Sequence, residues 1–170
     1  GKKTNFIRIP NKSYNKFIYV SIESKNISLL QVISTTISEN ETKGIFSPNN
    51  MNDVKLLSVD FEESVKDAKK GDFVYFDPPY DSDTSTFNSY TEDGFGKEEQ
   101  KRLAQVFKDL DNKGVYVMLS NHNTKLINEL YSGYNIQVIE AKRNINSNGK
   151  KRGNVEEVII TNFENKRGFQ

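Results

Sequence analysis

The stretch from Phe73 to Tyr80, FVYFDPPY, limits what this chain can fold into more than any other part of the sequence. Four consecutive β-branched or aromatic residues predict a buried strand. The two prolines end it because neither can donate to a sheet ladder. Asp77, which precedes a proline, is restricted to extended backbone. Open α/β sheets place ligands at the carboxyl ends of their strands, so a functional site is favoured here over an ordinary proline turn.

Length and composition narrow the class of protein. The 170 residues suffice for one domain with a hydrophobic core. No apolar run reaches the length of a membrane span and no signal-peptide pattern is present, so we expect a cytoplasmic protein without a membrane partner. The lack of cysteine excludes disulfides, zinc–thiolate sites and covalent cysteine catalysis. With His122 as the single histidine we predict no metal, and the net charge of +1 does not itself indicate nucleic acid.

Apolar runs alternate with helix-period segments, which predicts one α/β layered domain. The predicted strands cover residues 16–22, 54–59, 73–77, 115–119, 136–141 and 155–161. One helix is predicted to begin at Asn26, with Leu30, Ile33 and Ile37 on one face. A short helix is predicted after Asp60-Phe61-Glu62 and up to Lys70, with Val65 and Ala68 on its inward face. Two further helices cover 124–131 and 97–111, and the second has an apolar stripe of Leu103, Val106, Phe107 and Leu110. A helix joins the second and third of these strands, so we expect them to be parallel with a right-handed crossover. The link between the last two strands has no helix pattern, which predicts an antiparallel pair.

The segment 81–96 is rich in Ser, Thr, Asp, Asn and Gly and predicts a long loop. Loops of this length in compact domains are usually functional or mobile. Its aromatic residues are Phe87, Tyr90 and Phe95. They either anchor the loop to the core, which is the more ordinary role, or line a binding pocket.

The tetrapeptide Asp77-Pro78-Pro79-Tyr80 resembles the DPPY motif of amino-methyltransferases, which transfer a methyl group from S-adenosylmethionine to an exocyclic amine. From about Val54 to Phe163 the chain is similar to Dam-type DNA adenine-N6 methyltransferases. The likeness also rests on Ser120-Asn121-His122 and on RNINSNG at 143–149, with Arg152, Val155 and Glu157. It implies an α/β fold, the later strands of a Rossmann-like S-adenosylmethionine-dependent methyltransferase sheet with a C-terminal antiparallel hairpin.

The resemblance implies catalytic roles for Asp77, Pro78, Pro79 and Tyr80. The exocyclic amine of adenine is a poor nucleophile because its lone pair is delocalised into the ring. Acceptors on both N–H bonds, from the Asp77 carboxylate and the Pro78 carbonyl, would localise that lone pair, and the carboxylate would stabilise the developing charge. Tyr80 would offer a face to a base flipped out of the duplex. Such enzymes commonly read GATC, within restriction-modification systems or as orphan enzymes.

The resemblance places S-adenosylmethionine near Asp60, Phe61 and Asp77. Asp60 would accept a hydrogen bond from the cofactor's adenine amine, or it caps the short helix that follows. Phe61 would stack on that adenine, although core packing is favoured for it. We interpret Ser120-Asn121-His122 as site wall and turn chemistry. His122 is not assigned as a general base, because the methylated amine can lose its proton to water.

The link between the last two strands is basic. Between residues 142 and 154 there are five cationic residues and no acidic one. Arg143, Lys150, Lys151 and Arg152 are the candidate contacts to double-stranded DNA, because cationic side chains beside a base-flipping site can bind phosphates. A solvated hairpin tip is the alternative.

One feature departs from the family pattern. No glycine-bearing FxGxG-type loop, which binds the methionine end of the cofactor in such enzymes, precedes residue 54. We therefore expect a C-terminal portion whose partner is the N-terminal half of the same enzyme. Residues 1–53 would then hold the end of the target-recognition or linker region and a helix, residues 54–163 the catalytic subdomain, and residues 164–170 a tail. The central strands should have one uncovered edge, prone to pairing with another chain.

Two other functions stay open at this point. A non-catalytic DNA-binding or regulatory fragment would keep the fold without holding the cofactor, and the missing glycine loop favours it for the isolated chain. An amino-methyltransferase acting on another base or on RNA would keep the chemistry. Asp77 argues against the latter, because Ser or Asn at this position often accompanies other substrates.

Overall fold

The computed structural model describes residues 16–23, 28–33, 54–83, 94–139 and 155–164. Within them a seven-stranded mixed sheet has the order β3-β2-β1-β4-β5-β7-β6. The strands are β1 (Phe17–Ile22), β2 (Ser28–Ile33), β3 (Val54–Val59), β4 (Phe73–Asp77), β5 (Tyr116–His122), β6 (Asn135–Ile139) and β7 (Glu157–Thr161). The helices are α1 (Phe61–Ser64), α2 (Lys97–Asn112) and α3 (Lys125–Leu130). This confirms the α/β fold class and the strands expected from the apolar runs.

Strand β4 lies inside the sheet. It pairs in parallel with β1 on one side and with β5 on the other. Strand β3, not β4, ends the described sheet, so an uncovered edge of the central strands stays a prediction but does not lie at β4. Residues 17–22, which are apolar at alternate positions, supply the missing hydrogen-bond partners.

Strand β2 corrects the helix predicted from Asn26. Residues 28–33 pair antiparallel with β1 and with β3, so both edges of this segment are hydrogen-bonded within the sheet. Tertiary pairing has overridden a helical period that was weak in intrinsic propensity. Asn26 and Ile37 lie outside the described residues.

Strands β3 and β4 run in the same direction, because β2 is antiparallel to both β1 and β3 while β1 is parallel to β4. This confirms the expected parallel relation, and β2 and β1 lie between the two strands. The helix predicted up to residue 70 ends at Ser64. Val65 and Ala68 beyond it are nevertheless buried, as their spacing indicated. The chain then turns at Gly71, whose φ of 90° favours glycine.

At the other end of the sheet, β6 and β7 form the expected antiparallel pair. Strand β7 lies between β6 and β5 and is antiparallel to both. Strand β5 continues to His122, so Ser120-Asn121-His122 belongs to the strand and the prediction of a turn there is wrong. The register explains it, because all three residues have β7 partners, Ile159, Val158 and Glu157.

Alternation along the strands divides the core between the two faces of the sheet. In β4, Val74 and Phe76 pack in the same cluster as Leu103 and Phe107 of α2. Phe73 and Tyr75 pack in a second, aromatic-rich cluster on the opposite face. Since side chains alternate with period two, Asp77 projects on the side of Tyr75, away from α2.

The long loop is described only in part. Phe95 is 4% exposed and its ring centroid lies 6.1 Å from that of Phe61, which fits the anchoring role. Phe87 and Tyr90 lie outside the described residues, and the division of the chain at residues 53 and 163 stays a prediction. No described helix is long and apolar enough to cross a membrane. Nor do the described ranges contain three or more acidic or histidine side chains grouped to hold a metal ion.

Candidate active site

The Asp77 carboxylate is held by hydroxyl donors from the strands on either side of β4. The Tyr19 hydroxyl of β1 donates to Oδ2 at 3.1 Å, and Ser120 Oγ of β5 donates to Oδ1 at 3.3 Å. Tyr75 donates to Ser120 Oγ at 3.1 Å. Parallel neighbours end at the same edge of a sheet and alternate side chains share a face, which brings these four groups together. The result is a carboxylate with a fixed orientation.

The tyrosines around Asp77 are neutral at neutral pH, as tyrosines ordinarily are, and burial raises their pKa further. It raises the pKa of Tyr75 to about 12, and it also raises the pKa of Tyr19, where the negative charge of Asp77 adds to the effect. A tyrosine with a raised pKa keeps its proton at neutral pH. Tyr19 is therefore a hydrogen-bond donor to Asp77 and not a competing anion.

The DPPY exit is fixed by two buried amide side chains. Gln100 Nε2 donates to the Pro79 carbonyl at 2.8 Å, and Asn121 Oδ1 accepts from the Asp81 backbone N–H at 2.8 Å. The two amides are joined by an Asn121 Nδ2 to Gln100 Oε1 hydrogen bond of 3.2 Å. Gln100 was missed by the sequence analysis. Its place in the apolar stripe of α2, three residues before Leu103, was an available signal because a polar residue there must find a buried partner.

Tyr80 is half-buried beside His122. The two rings meet edge to face with centroids 4.9 Å apart, and burial raises the pKa of the Tyr80 hydroxyl. His122 Nδ1 lies 2.9 Å from the Asp81 carbonyl, which can only accept, so this nitrogen carries a proton and donates. These contacts support a site-wall role for His122.

A buried ion pair follows the DPPY motif directly. Lys97 Nζ lies 2.5 Å from Asp81 Oδ1, and their side chains are 10% and 3% exposed. Thr124 Oγ1 donates to the other oxygen, Oδ2, at 2.6 Å, and Lys97 also donates to the Ser82 carbonyl at 2.8 Å. Sequence reasoning did not find this pair, because the two residues are separated by the long loop and both residue types are ordinarily exposed.

Asp60 adopts the helix-capping role. Its Oδ1 accepts from the Glu62 backbone N–H at 3.0 Å. Arg102 of α2 forms a bidentate pair with it, NH1 to Oδ1 at 2.9 Å and NH2 to Oδ2 at 2.8 Å. The hydrogen bonds from Arg102 are the main cause of the lowered pKa of Asp60. The Asp60 side chain is still 39% exposed, and Oδ2 keeps a lone pair for one further donor.

Phe61 is fully buried, and the guanidinium carbon of Arg102 lies 3.9 Å from its ring centroid. Its ring is therefore covered by protein, which favours core packing over stacking on a ligand. Arg102, missed by the sequence analysis, links the two residues, and it stands two positions after Gln100 on α2. One helix thus contacts both the DPPY exit and the Asp60 cap.

The structure brings together Asp77, Pro78, Pro79, Tyr80 and the end of β5. Asp60 and Phe61 follow β3, which two strands separate from β4. The candidate DNA contacts Arg143, Lys150, Lys151 and Arg152 lie outside the described residues.

The chain is similar in sequence to known methyltransferases. The chain is 52% identical over 118 residues to the type II methyltransferase M1.LlaDCHI of Lactococcus lactis subsp. cremoris, which covers 68% of the chain and 42% of the relative. It is 42% identical over 117 residues to the type II methyltransferase M.MjaIII of Methanocaldococcus jannaschii, covering 66% and 40%. It is 33% identical over 107 residues to a DNA adenine methylase of Haemophilus influenzae, covering 61% and 37%.

The chain thus spans about two fifths of the length of the curated relatives it matches. The sequence profile of the family described as D12 class N6 adenine-specific DNA methyltransferase matches residues 11–145, which include β1 to β6 and the DPPY motif. The chain belongs to the family of D12 class N6 adenine-specific DNA methyltransferases.

Proposed function

We propose that this chain forms the catalytic C-terminal portion of a DNA methyltransferase that moves a methyl group from S-adenosylmethionine to N6 of a flipped-out adenine in double-stranded DNA. The observation that carries the proposal is the Asp77 carboxylate, fixed by Tyr19 and Ser120 at the carboxyl end of an interior strand. Family membership and the names of the relatives support it. GATC is the first sequence to test, because Dam-type enzymes commonly read it. We infer a cytoplasmic location, where such an enzyme would meet its DNA substrate.

The chemistry follows from where acceptors stand around the target amine. Asp77 keeps acceptor capacity on both oxygens after binding its two hydroxyl donors. Within the described residues, no hydrogen bond uses the Pro78 carbonyl, whereas the Pro79 carbonyl is taken by Gln100. Asp77 and Pro78 would therefore accept the two N–H bonds of the amine and localise its lone pair. The positive charge that develops on nitrogen would lie against a preorganised carboxylate, and the proton would leave to water.

The cofactor would supply an electrophilic methyl group on a sulfonium. Asp60 fits its adenine amine, because the carboxylate is partly exposed and can accept one more hydrogen bond. Phe61 would act indirectly, by packing against Arg102 and so supporting Asp60. Asp77 would lie near the charged sulfonium. We infer that the groups for the methionine end come from an N-terminal half of the same enzyme, equivalent to the part of the relatives that this sequence does not match.

The proposal is tested by cofactor binding. We expect the 170-residue chain to bind S-adenosylmethionine weakly or not at all in isothermal titration, because the methionine end of the cofactor has no candidate contacts among its residues. Adding the N-terminal half of the Lactococcus lactis relative as a separate polypeptide should restore binding and adenine-specific methylation of duplex DNA. Tight binding by the monomeric chain alone would show that the cofactor site is misplaced. Binding without methylation by the assembled protein would favour the non-catalytic interpretation.

A second test concerns Tyr80. Replacing Tyr80 with Ala should slow methyl transfer through poorer placement of the base, since stacking on an aromatic ring contributes roughly 1–3 kcal/mol per base. Tyr80→Phe should retain much of the rate, because the ring and not the hydroxyl would make this contact. Single-turnover methylation rates of wild type, Tyr80→Ala and Tyr80→Phe on the same duplex measure the contribution of the ring and of the hydroxyl. If Phe were as slow as Ala, the hydroxyl would be the working group.

A third test concerns DNA affinity. Replacing Lys150, Lys151 and Arg152 together with Gln should weaken binding to duplex DNA without altering the preferred sequence, because phosphate contacts carry no base information. The dependence of log K on log salt should also become shallower, by about 0.9 for each phosphate that the protein no longer neutralises. Fluorescence anisotropy at several salt concentrations, on cognate and scrambled duplexes, measures both quantities. An unchanged slope would mean that these residues do not contact phosphates and would favour the alternative of a solvated hairpin tip.

A further inference from the structure

Two buried amide side chains form hydrogen bonds with the backbone on either side of Tyr80. Gln100 is 1% exposed and Asn121 is fully buried. Gln100 holds the carbonyl of the residue before Tyr80, and Asn121 holds the N–H of the residue after it. Because the amides also bond to each other, the four groups form one continuous hydrogen-bonded chain from α2 to β5.

The need for this arrangement comes from the two prolines. After Asp77 the chain has left the sheet, and neither Pro78 nor Pro79 has an N–H with which to pair. A buried backbone carbonyl or N–H without a partner destabilises the fold, so side chains must replace the missing ladder. Each amide can satisfy its two neighbours in one orientation only, since its N–H₂ donates and its oxygen accepts. The backbone torsions around Tyr80 are therefore fixed by side chains of α2 and β5, which lie outside the segment that follows β4.

The same strand end also contacts the Tyr80 ring. Asn121 Oδ1 accepts from the His122 backbone N–H at 2.9 Å, while the His122 ring donates to the Asp81 carbonyl and meets Tyr80 edge to face. Ser120 and His122 alternate with Asn121 along β5, so their side chains share one face of the sheet, and Ser120 donates to Asp77 on that face. The Tyr80 hydroxyl also interacts with Ser120, so the end of β5 holds the carboxylate and the aromatic residue of the motif on the same side.

We propose that Gln100 and Asn121 are positioning residues that set the orientation of Tyr80 and, through it, the placement of the target base against Asp77. This assignment of a role in catalysis rests on the proposed function. The competing explanation is that both amides only satisfy backbone groups and stabilise the fold.

The first experiment measures the hydrogen bonding around Tyr80 and needs no activity assay. Amide hydrogen exchange of the 170-residue chain is compared between wild type, Gln100→Met and the matched control Gln105→Met, whose wild-type amide donates to Asp109 on the exposed side of α2. In Gln100→Met we expect the Asp81 amide to exchange about tenfold faster, which corresponds to the loss of one net hydrogen bond in orienting Asn121. Strand amides and the control should not change. Unaltered protection at Asp81 would overturn the proposal.

The second experiment asks whether Gln100 acts through Tyr80. In the assembled enzyme, Gln100→Met should lower the single-turnover methylation rate about tenfold while leaving the S-adenosylmethionine affinity unchanged. In a Tyr80→Ala background the same substitution should have little further effect, because the group being positioned is gone. Multiplicative losses in the double variant would mean independent action and overturn the positioning role.

A third variant covers the case in which Gln100→Met fails to fold. Asn121→Ala removes the acceptor for the Asp81 and His122 amides and the donor to Gln100 without placing a charge at this buried position. The same double-mutant cycle with Tyr80→Ala then tests whether Asn121 acts through Tyr80. A wild-type enzyme that binds cofactor and DNA but transfers no methyl group would overturn the proposed function. In that case the exchange result at Asp81 would still decide whether Gln100 holds the motif.

Discussion

Replacing Asp77 with Ala should lower the rate of methyl transfer by ~10²–10³-fold, the usual loss when one preorganised electrostatic group is removed. The carboxylate supplies both an acceptor for the amine and the negative charge that faces the developing cation. Tyr19 and Ser120 hold it in place, so no reorganisation is needed during the reaction. Single-turnover methylation with saturating DNA and cofactor measures the chemical step directly.

Two further variants make this experiment specific. Asp77→Asn keeps the shape and one acceptor oxygen but loses the charge, so its rate should fall between those of wild type and Asp77→Ala. Asp67→Ala removes an exposed carboxylate beyond α1 and should leave the rate unchanged. The circular dichroism of all three should match wild type. Near-normal turnover by Asp77→Ala would remove Asp77 from the mechanism.

The strand and motif at the centre of the fold could be predicted from the sequence because their signals are local. Phe73 to Phe76 form an apolar run that prolines terminate, and both features act within a few residues. The amphipathic pattern of α2 is similarly local, and its stripe of Leu103, Phe107 and Leu110 is buried as predicted. The final antiparallel pair followed from a link without a helix pattern.

The features that were missed depend on long-range pairing. Residues 28–33 have a helical spacing, yet they form β2 because β1 and β3 supply partners on both edges. No local pattern indicates which strand will fill the space beside β4. Likewise Arg102 meets Asp60 from 42 residues away, and Gln100 meets Pro79 from 21 residues away. Such contacts are set by how α2 packs on the sheet, which a single sequence does not encode in any short segment.

Breaking the buried pair of Asp81 and Lys97 should have the largest effect on stability. We expect Asp81→Ala to lower the free energy of unfolding by about 3–5 kcal/mol, because it leaves an ammonium buried without its counter-charge. Thr124 also loses the acceptor of its hydroxyl. Since single domains are stable by only ~5–15 kcal/mol, a large part of the folding free energy would be lost. Urea unfolding of the 170-residue chain, extrapolated linearly to water, measures the difference.

An exposed ion pair on the same helix provides the control. Glu98 pairs with Lys101 at 3.0 Å, and their side chains are 77% and 40% exposed. Glu98→Ala should therefore change the free energy of unfolding by less than about 1 kcal/mol. Combining Asp81→Asn with Lys97→Met removes both charges and keeps an acceptor for Thr124, so this double variant should regain much of the stability that Asp81→Ala loses. If Asp81→Ala were no more destabilising than Glu98→Ala, the pair would not be sealed from solvent and would not anchor the DPPY exit to α2.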